Sequence, residues 1–400
     1  MLFLGCLFKE EDEKKILELS NSGVSNAVNT FQWNLLNGLN NTTSIDIINI
    51  LPVGTYPKHY KRLFLKTNKW MWKENKDNLE IGAINIPGLK QYLRYKKVKK
   101  EIKTRLSNSK RVSNIVIYST YLPFLKAVYK LDRRVKITLI VTDLPEFYDL
   151  SKVGTLRKIL RKIYNYFIYK YLSRIDSFVL LTEQMKKPLK VGERQYIVVE
   201  GIADTENIDE SNDNLFYKKN DTKIILYTGT LHYQYGIKSL LEAFMLIKNN
   251  DYELWICGSG EAEDEIKKLL FEDKRIKFFG FLAKDEVKKL QQKATVLVNP
   301  RPNEGEYTKY SFPSKTMEYM TSGKPVIMYK LDGIPDEYDE YLYYFNGTSP
   351  ENIATKILEV CEQSEQELIL FGQKAKHFVA DNKNEIIQAK RILNMILKGC

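Results

Sequence analysis

Apolar residues along the chain fall into short dense runs separated by longer amphipathic stretches. Leu2–Phe8, Ser44–Leu51, Asn114–Ser119, Lys136–Val141, Ser177–Leu181 and Tyr196–Val199 are runs of strand length dominated by Ile, Val, Leu and Phe. Between them, Ala27–Leu39, Leu89–Leu106 and Thr155–Leu172 carry apolar residues at helical spacing. Strands alternating with helices predict a parallel sheet covered on both faces. The polar, acidic stretch Asp204–Thr222 then interrupts the pattern and reads as a linker. After it the alternation restarts: strand Ile224–Thr228, helix Gly236–Ile247, strand Glu253–Cys257, helix Ala262–Phe271, strand Ile276–Phe279, helix Lys284–Lys293, strand Val296–Pro300, helix Ser314–Thr321 and strand Pro325–Met328. Glu351 to Leu397 reads as two or three helices. The expectation is an α/β protein with two Rossmann-like domains, 1–203 and 222–364, and a last helix, 365–397, that packs back on the first. Open α/β sheets bind ligands beyond the carboxyl ends of their strands, so two of them face to face make a cleft.

Composition narrows the chemistry. No apolar run reaches the roughly 18 residues that a membrane-spanning helix needs. The first residues, Met1 to Lys9, have an apolar run too short for a signal peptide and no basic region before it, so they read as a first buried strand. Four scattered cysteines (Cys6, Cys257, Cys361, Cys400) and three histidines leave no metal-ligand spacing, so no metal and no disulfide framework is expected, and a reducing cytoplasmic compartment fits. The net charge of +12 is unevenly spread: residues 1–200 hold 36 Lys/Arg against 18 Asp/Glu, and residues 201–400 hold 26 against 32. Halves of opposite sign suggest two domains, one of them facing an anionic partner.

Two glycine turns follow strands, Thr228-Gly229-Thr230 and Cys257-Gly258-Ser259-Gly260. Glycine there admits close backbone approach to a phosphate, although a tight βα turn without a ligand explains it equally well. Neither turn has the form of a dinucleotide fingerprint or a P-loop, which argues against a dehydrogenase or P-loop NTPase. The segment Asn299–Ile327 is more specific. A strand end leads into a polar loop with Arg301, Glu304, Glu306, Lys309 and Tyr310, and Ser311-Phe312-Pro313-Ser314 opens a helix carrying Lys315 and Glu318. Helix-start N–H groups and Lys315 would converge on an anion, and Glu318 one turn further in could grip a sugar hydroxyl pair. Read without a ligand, Lys315 and Glu318 are an i,i+3 pair on a solvated face.

These residues resemble the donor domain of retaining GT-B glycosyltransferases, glycosyltransferase family four. The likeness runs through Tyr227-Thr228-Gly229, Cys257-Gly258-Ser259-Gly260, Phe279-Gly280-Phe281 and, above all, Ser311–Ile327, whose form is similar to the capsule and surface-polysaccharide branch. The first half matches more weakly, through Val179–Met185 and Val199–Ile202. The resemblance implies two Rossmann-like domains facing across a cleft, and hexosyl-type transfer with retention and without metal or cofactor. The donor would be a nucleotide-sugar, most simply a UDP-sugar, and the acceptor a lipid-linked or growing surface glycan. It implies that Glu318 binds the donor ribose and that Lys315, with the backbone at Ser311 and Phe312, holds the diphosphate. Gly229, Thr230 and Gly258 would line the donor site, with the backbone at Phe281 and Leu282 reading the base. Gly23 and Ser25 would form an acceptor-side loop, with Asp143 a polar cleft residue. Tyr310 stands where the family's E-x7-E motif has its first glutamate, leaving Glu304 or Glu306 as substitutes. Thr230 and Tyr235 replace a basic pair, which leaves Lys315, Arg301 and Lys309 to neutralise phosphate. A GT-B-fold epimerase or a non-catalytic partner subunit are the rival readings.

The basic half adds a surface. Lys90–Arg111 holds ten Lys/Arg and one acid, and Leu150–Ile175 seven and none. On the helix 155–172, Arg157, Lys158, Arg161 and Lys162 share one arc opposite Leu156, Ile159, Leu160, Ile163 and Phe167. This suits an anionic membrane surface, at the inner face of the plasma membrane, unless the apolar side packs on the sheet. No RNA- or DNA-binding module is recognisable, which argues against nucleic acid.

Overall fold

The computed structural model describes residues 1–21, 26–108, 113–147, 154–203 and 222–398. They divide into two units, Met1–Ile202 with Glu385–Cys400, and Ala203–Asn384. The linker stretch 204–221 lies outside the described residues.

The first unit is built on an eight-stranded sheet. Its strands are β1 (Leu2–Gly5), β2 (Asp46–Asn49), β3 (Asn68–Trp72), β4 (Asn75–Glu80), β5 (Asn114–Tyr118), β6 (Lys136–Val141), β7 (Ser177–Leu180) and β8 (Gln195–Val198), in the order β3-β4-β2-β1-β5-β6-β7-β8. Every pairing is parallel except β3 with β4. Apart from the polar first residues Asn114 and Lys136, the central strands β1, β5 and β6 are buried throughout, which is why they read as continuous apolar runs. The helices are α1 (Glu10–Leu19), α2 (Asn26–Asn40), α3 (Leu89–Asn108), α4 (Leu122–Val128) and α5 (Thr155–Leu172). The sequence pattern missed the β3–β4 hairpin. Its residues are mostly polar and most are only partly buried or exposed, and Asn78 ties it to β2, its buried Oδ1 accepting the Ile47 N–H over 3.0 Å.

The second unit is a six-stranded, wholly parallel sheet in the order β11-β10-β9-β12-β13-β14. Its elements are β9 (Lys223–Thr230), α6 (Ile237–Leu246), β10 (Tyr252–Ser259), α7 (Glu263–Glu272), β11 (Ile276–Phe278), α8 (Lys284–Lys293), β12 (Val296–Asn299), α9 (Ser314–Thr321), β13 (Val326–Met328), β14 (Tyr343–Tyr344), α10 (Pro350–Cys361) and α11 (Glu365–Asn382). All nine elements expected between Ile224 and Met328 are present.

The single helix expected over 365–397 is two. Helix α11 stays with the second unit, and α12 (Glu385–Lys398) joins the first. The break falls where Lys383 leaves helical geometry and its carbonyl accepts the Ala203 N–H over 2.8 Å. Ala389, Ile392, Met395 and Ile396 of α12 then complete a core with Leu35, Leu36 and Leu39 of α2. The close approach is permitted by Gly38, where a Cβ would lie 2.0 Å from the Glu385 carbonyl oxygen.

Candidate functional site

In the second unit the carboxyl ends of β9, β10 and β12 gather most of the residues singled out in the sequence. Strands β9 and β10 are in register to their ends, pairing Gly229 with Gly258 and Thr230 with Ser259. A Cβ on Gly258 would sit 1.8 Å from the Gly229 carbonyl oxygen, so glycine is demanded there by strand contact alone. A Cβ on Gly229 would meet nothing nearer than the Tyr227 hydroxyl, at 3.3 Å, which leaves this turn the more open of the two. Gly236, at φ +79, packs so tightly that a Cβ would lie 2.0 Å from the Pro300 carbonyl oxygen. That contact fixes the start of α6 against the loop leaving β12.

Helix α9 is set from beneath by Tyr319. This fully buried residue accepts the Thr228 N–H over 2.8 Å and donates to the Thr228 carbonyl over 3.0 Å. Burial holds its phenol protonated, with the pKa pushed up. The N-cap of α9 is Pro313, which makes no side-chain cap; its carbonyl accepts the Thr316 N–H over 2.8 Å, which leaves the Ser314 and Lys315 N–H groups at the helix start for an anion. Lys315 Nζ lies 2.8 and 3.1 Å from the Glu318 carboxylate oxygens. Glu318 Oε1 also accepts from Gln291 Nε2 over 2.9 Å, and Gln291 is buried on α8. The i,i+3 pair is thus formed, but clamped from one side rather than left to solvent.

Arg301 occupies the strand-to-helix loop. Its Nη2 donates to Ser311 Oγ over 2.9 Å, while the guanidinium carbon lies 5.5 Å from the Tyr235 ring centroid and 5.0 Å from that of Tyr307. Its Nε is buried without a hydrogen-bond partner, and no ion pair forms to it among the described residues. A cation held by rings and a hydroxyl, with no counter-ion, is a ready anion site. The Phe312 side chain is core, packed on Tyr338 at 5.3 Å, which leaves only its backbone to face the site.

The loop after β11 closes the other side. The Leu282 N–H bonds to Cys257, whose thiol is pushed up by burial and lies within electrostatic reach of Lys315. Phe281 is exposed. A cavity of about 440 Å³ adjoins, lined by Tyr233, Gln234, Ser239, Glu304, Tyr307 and Tyr329 among others. Glu304 faces it, whereas Glu306 accepts from the Tyr310 hydroxyl over 3.4 Å. Asp143 belongs to the first unit, exposed just beyond the end of β6, where Thr142 Oγ1 donates to it over 3.4 Å. Gly23 and Ser25 lie outside the described residues. Gln291, Tyr319 and the cavity tyrosines were not found from the sequence. Gln291 stands 27 residues from its partner Glu318 with no spacing rule to link them.

Residues 222–363 match the family model described as Glycosyl transferases group 1. An uncharacterised glycosyltransferase of Methanocaldococcus jannaschii is 32% identical over 120 residues, a segment covering 29% of this chain and 29% of that relative's length. Among solved structures, the sucrose-phosphate synthase of Thermosynechococcus elongatus matches with a TM-score of 0.67 at 13% identity, covering 100% of both chains. HepE of Anabaena, solved in complex with UDP, matches with a TM-score of 0.63 at 13% identity over 99% of each chain. The likenesses define the class: the chain has the GT-B fold, an α/β architecture with two Rossmann-like sheets. The likeness to the group 1 glycosyltransferase model is confined to residues 222–363 of the second unit.

Proposed function

We propose that this chain is a glycosyltransferase that moves a sugar, with retention and without a metal, from a UDP-sugar to a lipid-linked or growing cell-surface glycan. It would act at the inner face of the plasma membrane. The observation that carries the reading is the uncompensated Arg301, tied through Ser311 to the uncapped start of α9. A nucleoside diphosphate leaving group develops negative charge, and fixed donors already aimed at it are commonly the largest catalytic contribution.

In this reading Lys315 exchanges Glu318 for the diphosphate. Glu318, still held by Gln291, takes the ribose hydroxyls. Gly229 and Thr230 lie beneath the phosphates, Gly258 holds that turn in place, and the backbone at Phe281 and Leu282 meets the base. The family's missing basic pair is replaced by Arg301, which uses the ring of Tyr235 as its support. The sugar enters the adjoining cavity, where Glu304 takes the part of the glutamate absent at Tyr310. Breaking the sugar–phosphate bond leaves negative charge on the departing oxygen, which accepts the proton of the acceptor hydroxyl as the new bond forms on the same face. Asp143, Gly23 and Ser25 would serve the acceptor.

A thermal-shift panel of UDP, GDP, ADP, dTDP and their common sugar conjugates tests this, since a ligand of the native state raises Tm by mass action. The expected result is a shift with UDP and its conjugates that Lys315→Ala abolishes, with turnover falling at least about a hundredfold. Donor hydrolysis or transfer absent despite UDP binding would favour a non-catalytic partner subunit, the reading that the tyrosine at 310 supports. No shift with any nucleotide would sink the donor site.

A further inference from the structure

Helix α5 presents its apolar residues to solvent. Ile159, Leu160, Ile163, Tyr166 and Phe167 are between 37% and 64% exposed, and at 100° per residue they lie within about 120° of arc. The helix is anchored from its other side and its far end, through buried Ile168 and Leu172. Near its start Arg161 donates to the Glu146 carbonyl over 2.8 Å, and further along Tyr169 donates to the Glu146 carboxylate over 2.9 Å. Of the two arrangements open from the sequence, apolar side on the sheet or apolar side outward, the structure has the second.

Charge surrounds that stripe. Lys158 and Lys162 border it on one edge, and Lys170 continues it one turn on; all three are exposed. Neighbouring α3 and α4 pack in sequence beside α5, with Lys126 of α4 over the Tyr95 ring of α3 at 4.7 Å and Tyr129 against Tyr171 of α5 at 4.8 Å. Helix α3 carries eight Lys/Arg, of which Lys90 and Arg94 are buried, α4 one and α5 five, against a single acid, Glu101, which is already paired with Arg105. An exposed apolar stripe on a cationic layer suits an anionic, apolar-cored partner. Self-association through the same helix would bring five basic residues against five, which charge opposes.

We infer that the α3–α4–α5 face of the first unit docks on an anionic lipid bilayer, with the stripe of α5 entering the headgroup boundary. The docking deepens the reading of a membrane-borne acceptor and rests on it only for its purpose. Binding to vesicles needs no donor, so the two stand or fall separately.

The test is sedimentation of the full chain with phosphatidylcholine vesicles, with and without phosphatidylglycerol. Retention is expected only when the anionic lipid is present. The variant Arg157→Gln/Lys158→Gln/Lys162→Gln should lose roughly fivefold in partition per charge removed. The variant Ile159→Ser/Leu160→Ser/Ile163→Ser should lose at least about tenfold with an unchanged Tm and an unchanged UDP shift, because these side chains are already half exposed. Equal binding to both vesicle types, binding to neither, or variants indistinguishable from the parent would overturn the docking. So would a dimer in ultracentrifugation that the serine variant dissolves without any lipid binding. A retained UDP shift without vesicle binding removes the docking alone, and vesicle binding without a UDP shift removes the donor reading alone.

Discussion

Arg301 Nη2 donates to Ser311 Oγ over 2.9 Å, and this bond ties the loop leaving β12 to the residues that open α9. The same guanidinium has a buried Nε with no partner. A folded protein gains nothing from such an arrangement, since a buried unpaired donor costs about 1–3 kcal/mol. The cost is explicable if an anion completes the group.

Replacing Arg301 therefore separates stability from function. Arg301→Met keeps the stem between Tyr235 and Tyr307 and removes the unpaired donor. Its Tm should stay level or rise by a few degrees, as about 1 kcal/mol implies for a unit of this size, while the UDP-induced shift falls sharply. Arg301→Lys retains the charge but not the planar group that lies over both rings, so it should recover only part of the binding. A variant that lost stability and kept full UDP binding would show the residue to be structural.

Gln291 offers a second test, because it touches Glu318 and lies buried on another helix. Gln291→Leu conserves volume but releases the carboxylate, leaving Lys315 as its only partner among the described residues. A hydrogen bond to a charged group is worth about 1.5–3 kcal/mol, so KM for the donor should rise roughly tenfold or more. If ribose contact is Glu318's role, the loss should be smaller for inorganic pyrophosphate, which has no ribose, in competition assays.

The contrast between these residues shows what a single sequence displays. The strands and helices of the second sheet were legible because buried parallel strands read as apolar runs and their connections are short. Lys315 and Glu318 were legible because they share one helical turn. Gln291 and Tyr319 were not, since their partners Glu318 and Thr228 are brought in by the sheet rather than by spacing. The β3–β4 hairpin escaped because an edge pair with polar side chains has no alternation to read; its turn passes through Lys73 at φ +52, where no glycine marks it. The stripe on α5 was visible, but periodicity gives a face without saying which way it points.

Gly236 and Gly280 separate two costs of a side chain. Both have positive φ, +79 and +65, but a Cβ at Gly280 meets nothing within 4 Å, whereas at Gly236 it meets the Pro300 carbonyl at 2.0 Å. Gly280→Ala should cost only the left-handed backbone, about 1–2 kcal/mol. Gly236→Ala should add about 1–3 kcal/mol of overpacking and, by pushing the loop that carries Arg301, weaken UDP binding as well. Chemical denaturation of both variants checks the order.

Lys90 makes the stability of the first unit depend on pH. Its side chain is buried, donating to the Val53 carbonyl over 2.7 Å, and burial together with the neighbouring Arg94 lowers its pKa from 10.5 to about 7. In the unfolded chain the amine stays protonated up to its ordinary value. Between pH 7 and about 10 the unfolded state therefore binds more protons than the folded one, and stability rises with pH across that window. Below pH 7 both states are protonated and the full cost of the buried charge is present. The neutral amine can still donate to Val53, so the bond survives deprotonation. Lys90→Met should remove this rise and raise stability near pH 6 relative to the parent, at the cost of the Val53 contact. Thermal melts of the two proteins from pH 6 to about 9.5 should converge as pH increases. Parallel curves would mean that Lys90 keeps its proton in the folded chain, its charge satisfied by the carbonyls around it.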